Sequence, residues 1–391
     1  MSATPPDSSQ NINPSLNPSP STFRPFPNEP SYFTPDQLDR LLMHCYDQGA
    51  SDISIQSGET VFAEIEGKQV KITRRELTLQ ETSDLINYIY GSNATAMTFS
   101  GTDIDTNYRV KFQKGKIYRY RVNITACIFE GYQGIQVTLR TISSEPPELA
   151  KLKLEQALYE SLSLPQGILV VSGATGSGKS TLLASMISHL VQRPDANLKV
   201  LTYESPIEYV YETVPKPSSI IAQTEIPRYL PSFAAGVRNA LRRKPGLILV
   251  GEARDKETVE AVIDAALTGH PVYTTVHANG VPDTMRRMVT IFPFAERDTR
   301  LFDLIESIKV IVWQALVPSV TGKRVALREF LIFNDEVRDK LLKAKTETIV
   351  SSIRELLKTH GQPIADDARA KYKDGLIDER VLARFTTDSN K

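Results

Sequence analysis

The chain has 391 residues, 41% of them hydrophobic and 24% charged, a length for two or three domains and the composition of an ordinary globular protein. Its 46 basic and 46 acidic side chains balance, so no global charge draws it to nucleic acid, although a local patch is not ruled out. No run approaches about 18 consecutive apolar residues, and the two distant cysteines, Cys45 and Cys127, read as small core residues in a reducing compartment rather than as a disulfide framework.

Residues 1–30 are rich in Pro, Ser and Asn and read as a disordered tail without a basic-then-apolar signal segment, so a cytoplasmic protein is expected. Order is predicted from Thr34, an N-cap followed by Pro35 and by Gln37 at the capping-box position. That helix runs through Leu38, Leu41, Leu42 and Cys45 towards Gly49. Strands follow at 52–55 and 61–65, with a Glu66-Gly67 turn and the pattern continuing through Val70 and Ile72. A helix is expected at 79–90, then strands at 108–112, 118–128 and 134–140. This is an α+β domain, 31–145, with a mostly antiparallel sheet, and the Glu145-Pro146-Pro147 break begins a linker at 146–150.

From about 151 to 391 the pattern changes to alternating strand and helix, with strands at 167–172, 198–203, 247–250 and 272–276. That alternation predicts a doubly wound α/β domain with a parallel sheet. Helices are expected at 301–315, 335–344 and 348–359, and a strand at 324–332. The first strand runs into Gly173, Ala174, Thr175, Gly176, Ser177, Gly178, Lys179, Ser180 and Thr181, the G-x-x-x-x-G-K-[ST] pattern with strand before and helix after. Glycines let the backbone curl its N–H groups around an anion, and the helix N-terminus adds positive charge. Lys179 would reach the β/γ-phosphates of a nucleoside triphosphate and the Ser180 hydroxyl would bind Mg²⁺.

Further along, Glu252 ends the apolar strand 247–250 one glycine late, a position suited to activating water beside the metal. Glu204 and Glu208, four residues apart past another strand, are candidates to help hold Mg²⁺ or that water. His270 and His277 flank a short apolar strand, with His277 at its C-terminal end. Arg119 and Arg121 share a strand face, and Arg140 stands on the neighbouring strand. They are either a solvated face or fingers for phosphoryl charge on a neighbouring subunit. Arg238 and Arg242 belong to a basic helical run, placed either to sense nucleotide or to form a charged surface.

Taken in order, ASDISIQ, RYRVN, LRTI, GATGSGKST, YESPIEY, FAAGVRNALRRKP, VGEARD and TGHPVYTTVHAN resemble the secretion ATPases of type II and type IV systems, pilus-retraction motors included. The resemblance spans about residues 34–345. Within that family, GTDIDT and FAAGVRNALRRKP are similar to the ATPases of Dot/Icm type IVB secretion and of conjugation. It implies a homohexameric ring of PAS-like N-terminal domains linked to RecA-like ATPase domains. ATP would sit between the two, met by Arg119, Arg121 and Arg140. It places Glu204 in an acidic box, Glu252 in a degenerate Walker B motif, and His270 and His277 in a histidine box. It implies recruitment to the inner membrane by membrane and cytoplasmic components of a secretion complex. The alternatives are a pilus-retraction motor, a RecA-like nucleic-acid motor and a scaffold that only binds ATP. No basic, aromatic-rich stretch supports sequence-specific nucleic-acid binding. The chain departs from the family twice: Ser205 replaces an acidic-box Asp, and two isolated cysteines cannot form the paired C-x-x-C zinc insert of assembly-type members.

Overall fold

A computed structural model describes residues 24–111, 117–142 and 145–386 of the chain. The chain divides between Thr141 and Ile142 into two units with separate cores.

In the N-terminal unit α1 (Pro35–Asp47) begins with its capping box formed: the Thr34 N–H donates to Gln37 Oε1 at 3.0 Å. It is followed by β1 (Asp52–Gln56), β2 (Phe62–Ile65) and β3 (Lys68–Lys71), then α2 (Leu79–Tyr90) and α3 (Ala94–Phe99). The long strands β4 (Ile104–Lys111), β5 (Ile117–Phe129) and β6 (Tyr132–Ile142) complete a sheet of order β3-β2-β1-β6-β5-β4. Glu66 and Gly67 both have positive φ, 52° and 76°, the geometry of a two-residue hairpin turn. One sheet face presents Tyr118, Tyr120, Val122 and Ile124 to a core shared with Leu38, Leu41, Leu42 and Cys45. Most of the expected N-terminal tail, residues 1–23, lies outside the described residues, as does Phe112 of the expected strand. Phe26 corrects the tail's end. Its ring is buried 6.1 Å from that of Phe33 and its N–H donates to Ile72 O at 3.0 Å, because an aromatic side chain among prolines still has apolar area to bury.

The second unit opens with Leu149, buried in its core, and α4 (Gln156–Glu160). The parallel strands are β7 (Gly167–Ser172), β8 (Lys199–Glu204), β9 (Ile220–Glu225), β10 (Leu247–Val250) and β11 (Pro271–Val276). Between or after them come α5 (Lys179–Val191), α6 (Phe233–Ala240), α7 (Lys256–Leu267), α8 (Val281–Thr290) and α9 (Arg297–Ser307). Then β12 (Ile308–Pro318) lies parallel to β7, and β13 (Arg324–Ile332) antiparallel to β12. The chain continues as α10 (Asp335–Leu341), α11 (Ile349–His360), β14 (Gly361–Gln362), α12 (Ile364–Lys373) and α13 (Glu379–Thr386). Among the described residues the sheet order is β14-β13-β12-β7-β11-β10-β8-β9.

All six residues of β7 are buried, as expected of a strand covered on both faces. Ile168 and Val170 pack with α6, α7, α8 and α9, while Leu169 and Val171 pack with α5. The doubly wound α/β expectation therefore describes this unit. One element departs from it: the helix expected at 301–315 ends at Ser307, and Ile308 starts β12. Ile308, Val310, Ile311 and Val312 are β-branched, and such side chains favour the pleated surface beside β7 over a helix. No helix among the described residues is long and apolar enough to cross a membrane.

Candidate active site

A cavity of about 380 Å³ opens at the C-terminal ends of the parallel strands, a size within the usual range of ligand sites. Its lining draws on four strand ends. The loop 173–178 leaves β7 and ends at α5; Glu204, Ser205, Pro206 and Glu208 follow β8; Gly251 and Glu252 follow β10; Thr275 and His277 come from the end of β11.

The loop is built to keep backbone exposed to an anion. Gly173, Gly176 and Gly178 have φ of 150°, 75° and 82°, and Gly178 is the residue before α5. A Cβ on Gly173 would stand 2.4 Å from the Gln314 carbonyl oxygen, so the loop packs where only glycine fits. Lys179 is 8% exposed, and its Nζ donates to the carbonyls of Gly173 at 3.0 Å and Ala174 at 2.9 Å. Those two bonds fold a cation over the loop that phosphate oxygens would engage in their place. Burial pulls the Lys179 amine below the ordinary lysine range, opposed by the charges of Glu252 and Glu208. Ser180 and Thr181, in the first turn of α5, line the cavity, and the Thr181 hydroxyl lies 2.8 Å from the Tyr209 hydroxyl. Ala174 and Thr175 are exposed at the rim, and Ser177 is buried beneath it.

Glu252 and His277 form a pair, with His277 Nε2 3.6 Å from Glu252 Oε1. The strand next to β7 is β11, not the acid-bearing β10, so His277 comes from the strand between the phosphate loop and Glu252. Glu204 is held from two sides: Thr202 Oγ1 donates to its Oε1 at 2.6 Å and Gln223 Nε2 at 3.1 Å. Three carboxylates, one lysine and one histidine thus line one cavity with the loop, and because no three of the acids and histidines among the described residues cluster tightly enough to hold a metal alone, a cation there would share its ligands with a polyphosphate.

Two expected residues stand elsewhere. His270 precedes β11 at the N-terminal edge of the sheet, its Nδ1 3.3 Å from Ala265 O, and it lines no part of this cavity. Arg242 lies in the turn that carries the chain from α6 back to the start of β10, at the same far edge. A crossover helix runs antiparallel to its strands, so whatever follows its C-terminus returns to the strand-start edge. Arg119, Arg121 and Arg140 belong to the N-terminal unit. Arg119 is buried and Arg121 exposed on β5, while Arg140 pairs with Asp52 at 2.9 Å between adjacent strands.

Sequence reasoning passed over Gln314, whose Nε2 donates to Ser177 O at 2.7 Å, and Tyr209 and Tyr211 on the cavity wall. Nothing local marks Gln314, because the helix expected over its segment hides the strand that brings it to the loop.

A parallel sheet with a phosphate loop after its central strand, a histidine past the next strand and an acid past the strand beyond it defines a RecA-like P-loop ATPase. The family model described as Type II/IV secretion system protein matches residues 31–348, and the chain belongs to that family. It is an ATPase of the family and hydrolyses ATP. It is similar to the crystal structure of the ATPase DotB of Legionella pneumophila, with 52% identity over 93% of this chain and 99% of that one, and a TM-score of 0.86. It is also similar to the pilus-retraction motor PilT solved with bound ADP, at 31% identity over 90% and 97% of the two chains with a TM-score of 0.79. The type IV pilus retraction ATPase PilT of Pseudomonas aeruginosa is 31% identical over 81% of this chain and 88% of its own length.

Proposed function

We propose that this chain is the motor subunit of a type IVB secretion or conjugation apparatus, working as a homohexamer in the cytoplasm and recruited to the inner membrane by other components of the machine. The observation that carries the catalytic part is the convergence of Lys179, Glu252 and His277 on one cavity at the phosphate loop. The apparatus is argued from the 52% identity to the DotB of Legionella pneumophila, since the DotB of Yersinia pseudotuberculosis and the pilus motor PilT both stand at 31%. Pilus retraction is the second reading, supported by the near full-length PilT match.

In this reading the backbone N–H groups of 173–178 and the Lys179 amine grip the β/γ-phosphates of ATP, and α5 directs its N-terminal positive charge at them. Ser180, with Glu252 acting through water, would hold Mg²⁺, which would offset phosphate charge. Glu252 orients and deprotonates the attacking water, with His277 beside it and Glu204 and Glu208 fixing the water's surroundings. Each chain comprises a PAS-like domain, 31–145, joined through 146–150 to a RecA-like domain, 151–391, and Arg119, Arg121 and Arg140 act in trans on phosphoryl charge at a neighbouring subunit. Ring closure and opening then follow the nucleotide state, and most of the rate enhancement is positioning and charge stabilisation.

The test is ATP hydrolysis per subunit, with Mg²⁺, as a function of protein concentration. Specific activity that climbs to a plateau supports a site completed by a neighbour. Substantial activity that stays flat on dilution to the monomer, with the mass followed by light scattering, sinks the trans arginines.

A further inference from the structure

β12 pairs with β7 as far as Trp313, opposite Ser172, and then runs on beside the phosphate loop. Its next residue is Gln314. On the other side, β13 places Glu329 opposite Trp313 and Arg328 opposite Gln314. Successive strand residues point to opposite faces, so these are two cross-strand pairs on the two faces of one hairpin.

The Gln314–Arg328 pair lies under the phosphate loop. Both side chains are buried, at 3% and 1% exposure. Arg328 Nε donates to Gln314 Oε1 at 2.9 Å, and Gln314 Nε2 donates to Ser177 O at 2.7 Å. A guanidinium only donates and a carbonyl only accepts, so a single amide orientation satisfies both neighbours. Arg328 is itself fixed: it donates to Glu155 at 3.2 Å and to the carbonyls of Leu152 at 2.9 Å and Lys153 at 3.2 Å. Gly178 packs directly on this amide, since a Cβ there would stand 3.0 Å from Gln314 Nε2.

The Trp313–Glu329 pair holds the loop that follows His277. Trp313 Nε1 donates to Ala278 O at 3.0 Å. Glu329, 8% exposed, accepts the Val281 N–H at 2.7 Å at the start of α8. Between them Gly280, at φ 144°, lets the chain turn into that carboxylate. The segment from His277 to Val281 is therefore pinned at two backbone points by two adjacent side chains of the hairpin.

We propose that the two pairs are positioning residues for ATP hydrolysis with separable effects, Gln314 with Arg328 setting the phosphate loop and nucleotide affinity, Trp313 with Glu329 setting the His277 loop and turnover. The inference rests on the roles proposed above for the loop and for His277.

The experiment measures the Kd for a fluorescent ADP and the kcat for Mg-ATP on the full chain. The variants are Gln314→Leu, Gln314→Glu, Trp313→Phe, Glu329→Ala and Glu329→Gln, with Lys179→Ala and His277→Ala as controls. Gln314→Glu keeps the acceptor for Arg328 but sets a carboxylate against the Ser177 carbonyl. Gln314→Glu, which loses one hydrogen bond, should weaken ADP binding about tenfold, and Gln314→Leu, which loses both, at least as much, with kcat changed less than about threefold in each. Trp313→Phe and Glu329→Ala should lower kcat about tenfold and leave the Kd within about twofold, while Glu329→Gln, which retains a carbonyl for Val281, should recover most of the rate. Glu329→Ala keeps the question open to measurement if Trp313→Phe does not fold. Losses of Kd and kcat that move together with melting temperature, or no losses, overturn the proposal. Normal turnover in His277→Ala would instead overturn the reading beneath it. A slow His277→Ala beside an unaffected Trp313→Phe overturns the hairpin role alone.

Discussion

At the two ends of β11 stand two histidines. His277, past the C-terminal end, lies 3.6 Å from Glu252 in the wall of the cavity. His270, before the N-terminal end, has its Nδ1 3.3 Å from the carbonyl of Ala265 in the last turn of α7, and that carbonyl also accepts the His270 N–H. Seven residue steps separate them, about 23 Å at roughly 3.3 Å per residue. The same side chain therefore takes different work from the polarity of the strand alone. In a parallel sheet every strand ends at one edge, so loops and helix N-termini gather there, and the opposite edge receives helix C-termini. Glu252 and Arg242 repeat the contrast on β10, one past its end and the other before its start.

The largest effect expected on this comparison is from Lys179→Ala. It removes the cation that sits on the loop and should lower kcat/KM by roughly 10³-fold or more, with loss of nucleotide binding by fluorescent ADP titration. Glu252→Gln comes next. Steady-state kcat should fall about 10²- to 10⁴-fold while ATP binding persists, and near-native turnover would remove Glu252 as the base. His277→Ala should cost less, on the order of tenfold to a hundredfold in kcat, because on the proposed reading it sits beside the base and is not itself the base. At the small end, His270→Ala and Arg242→Ala should stay within about twofold of native kcat per subunit in the assembled protein, as changes at the far edge of the sheet. Equal losses in His270→Ala and His277→Ala would dissolve the contrast between the edges.

The phosphate loop was legible because its chemistry is local. Strand, glycines, lysine and hydroxyl are contiguous, and β7 with α5 form on either side of them. Glu252 was legible for the same reason, as an acid closing an apolar strand. His277 could be placed at a strand end, but not 3.6 Å from Glu252, since that distance depends on β11 lying between β7 and β10. Ile308 to Ala315 was misread as helix because a short apolar run carries little periodicity, and the partner that selects strand is β7, more than a hundred residues away. With that strand hidden, Gln314 and Trp313 carried no signal.

The amino-acid order alone thus gave a phosphate-loop pattern, the alternation that makes the second unit α/β, and an acid just past an apolar strand. Those are properties of neighbouring residues, set by propensity, spacing and backbone freedom. Only the folded sheet decided which strand lies beside which, which histidine faces the cavity, and that an arginine and a glutamine from a later hairpin brace the loop from beneath. Strand order and edge polarity come from the packing of helices on both faces and from long-range pairing, which no local window of sequence contains.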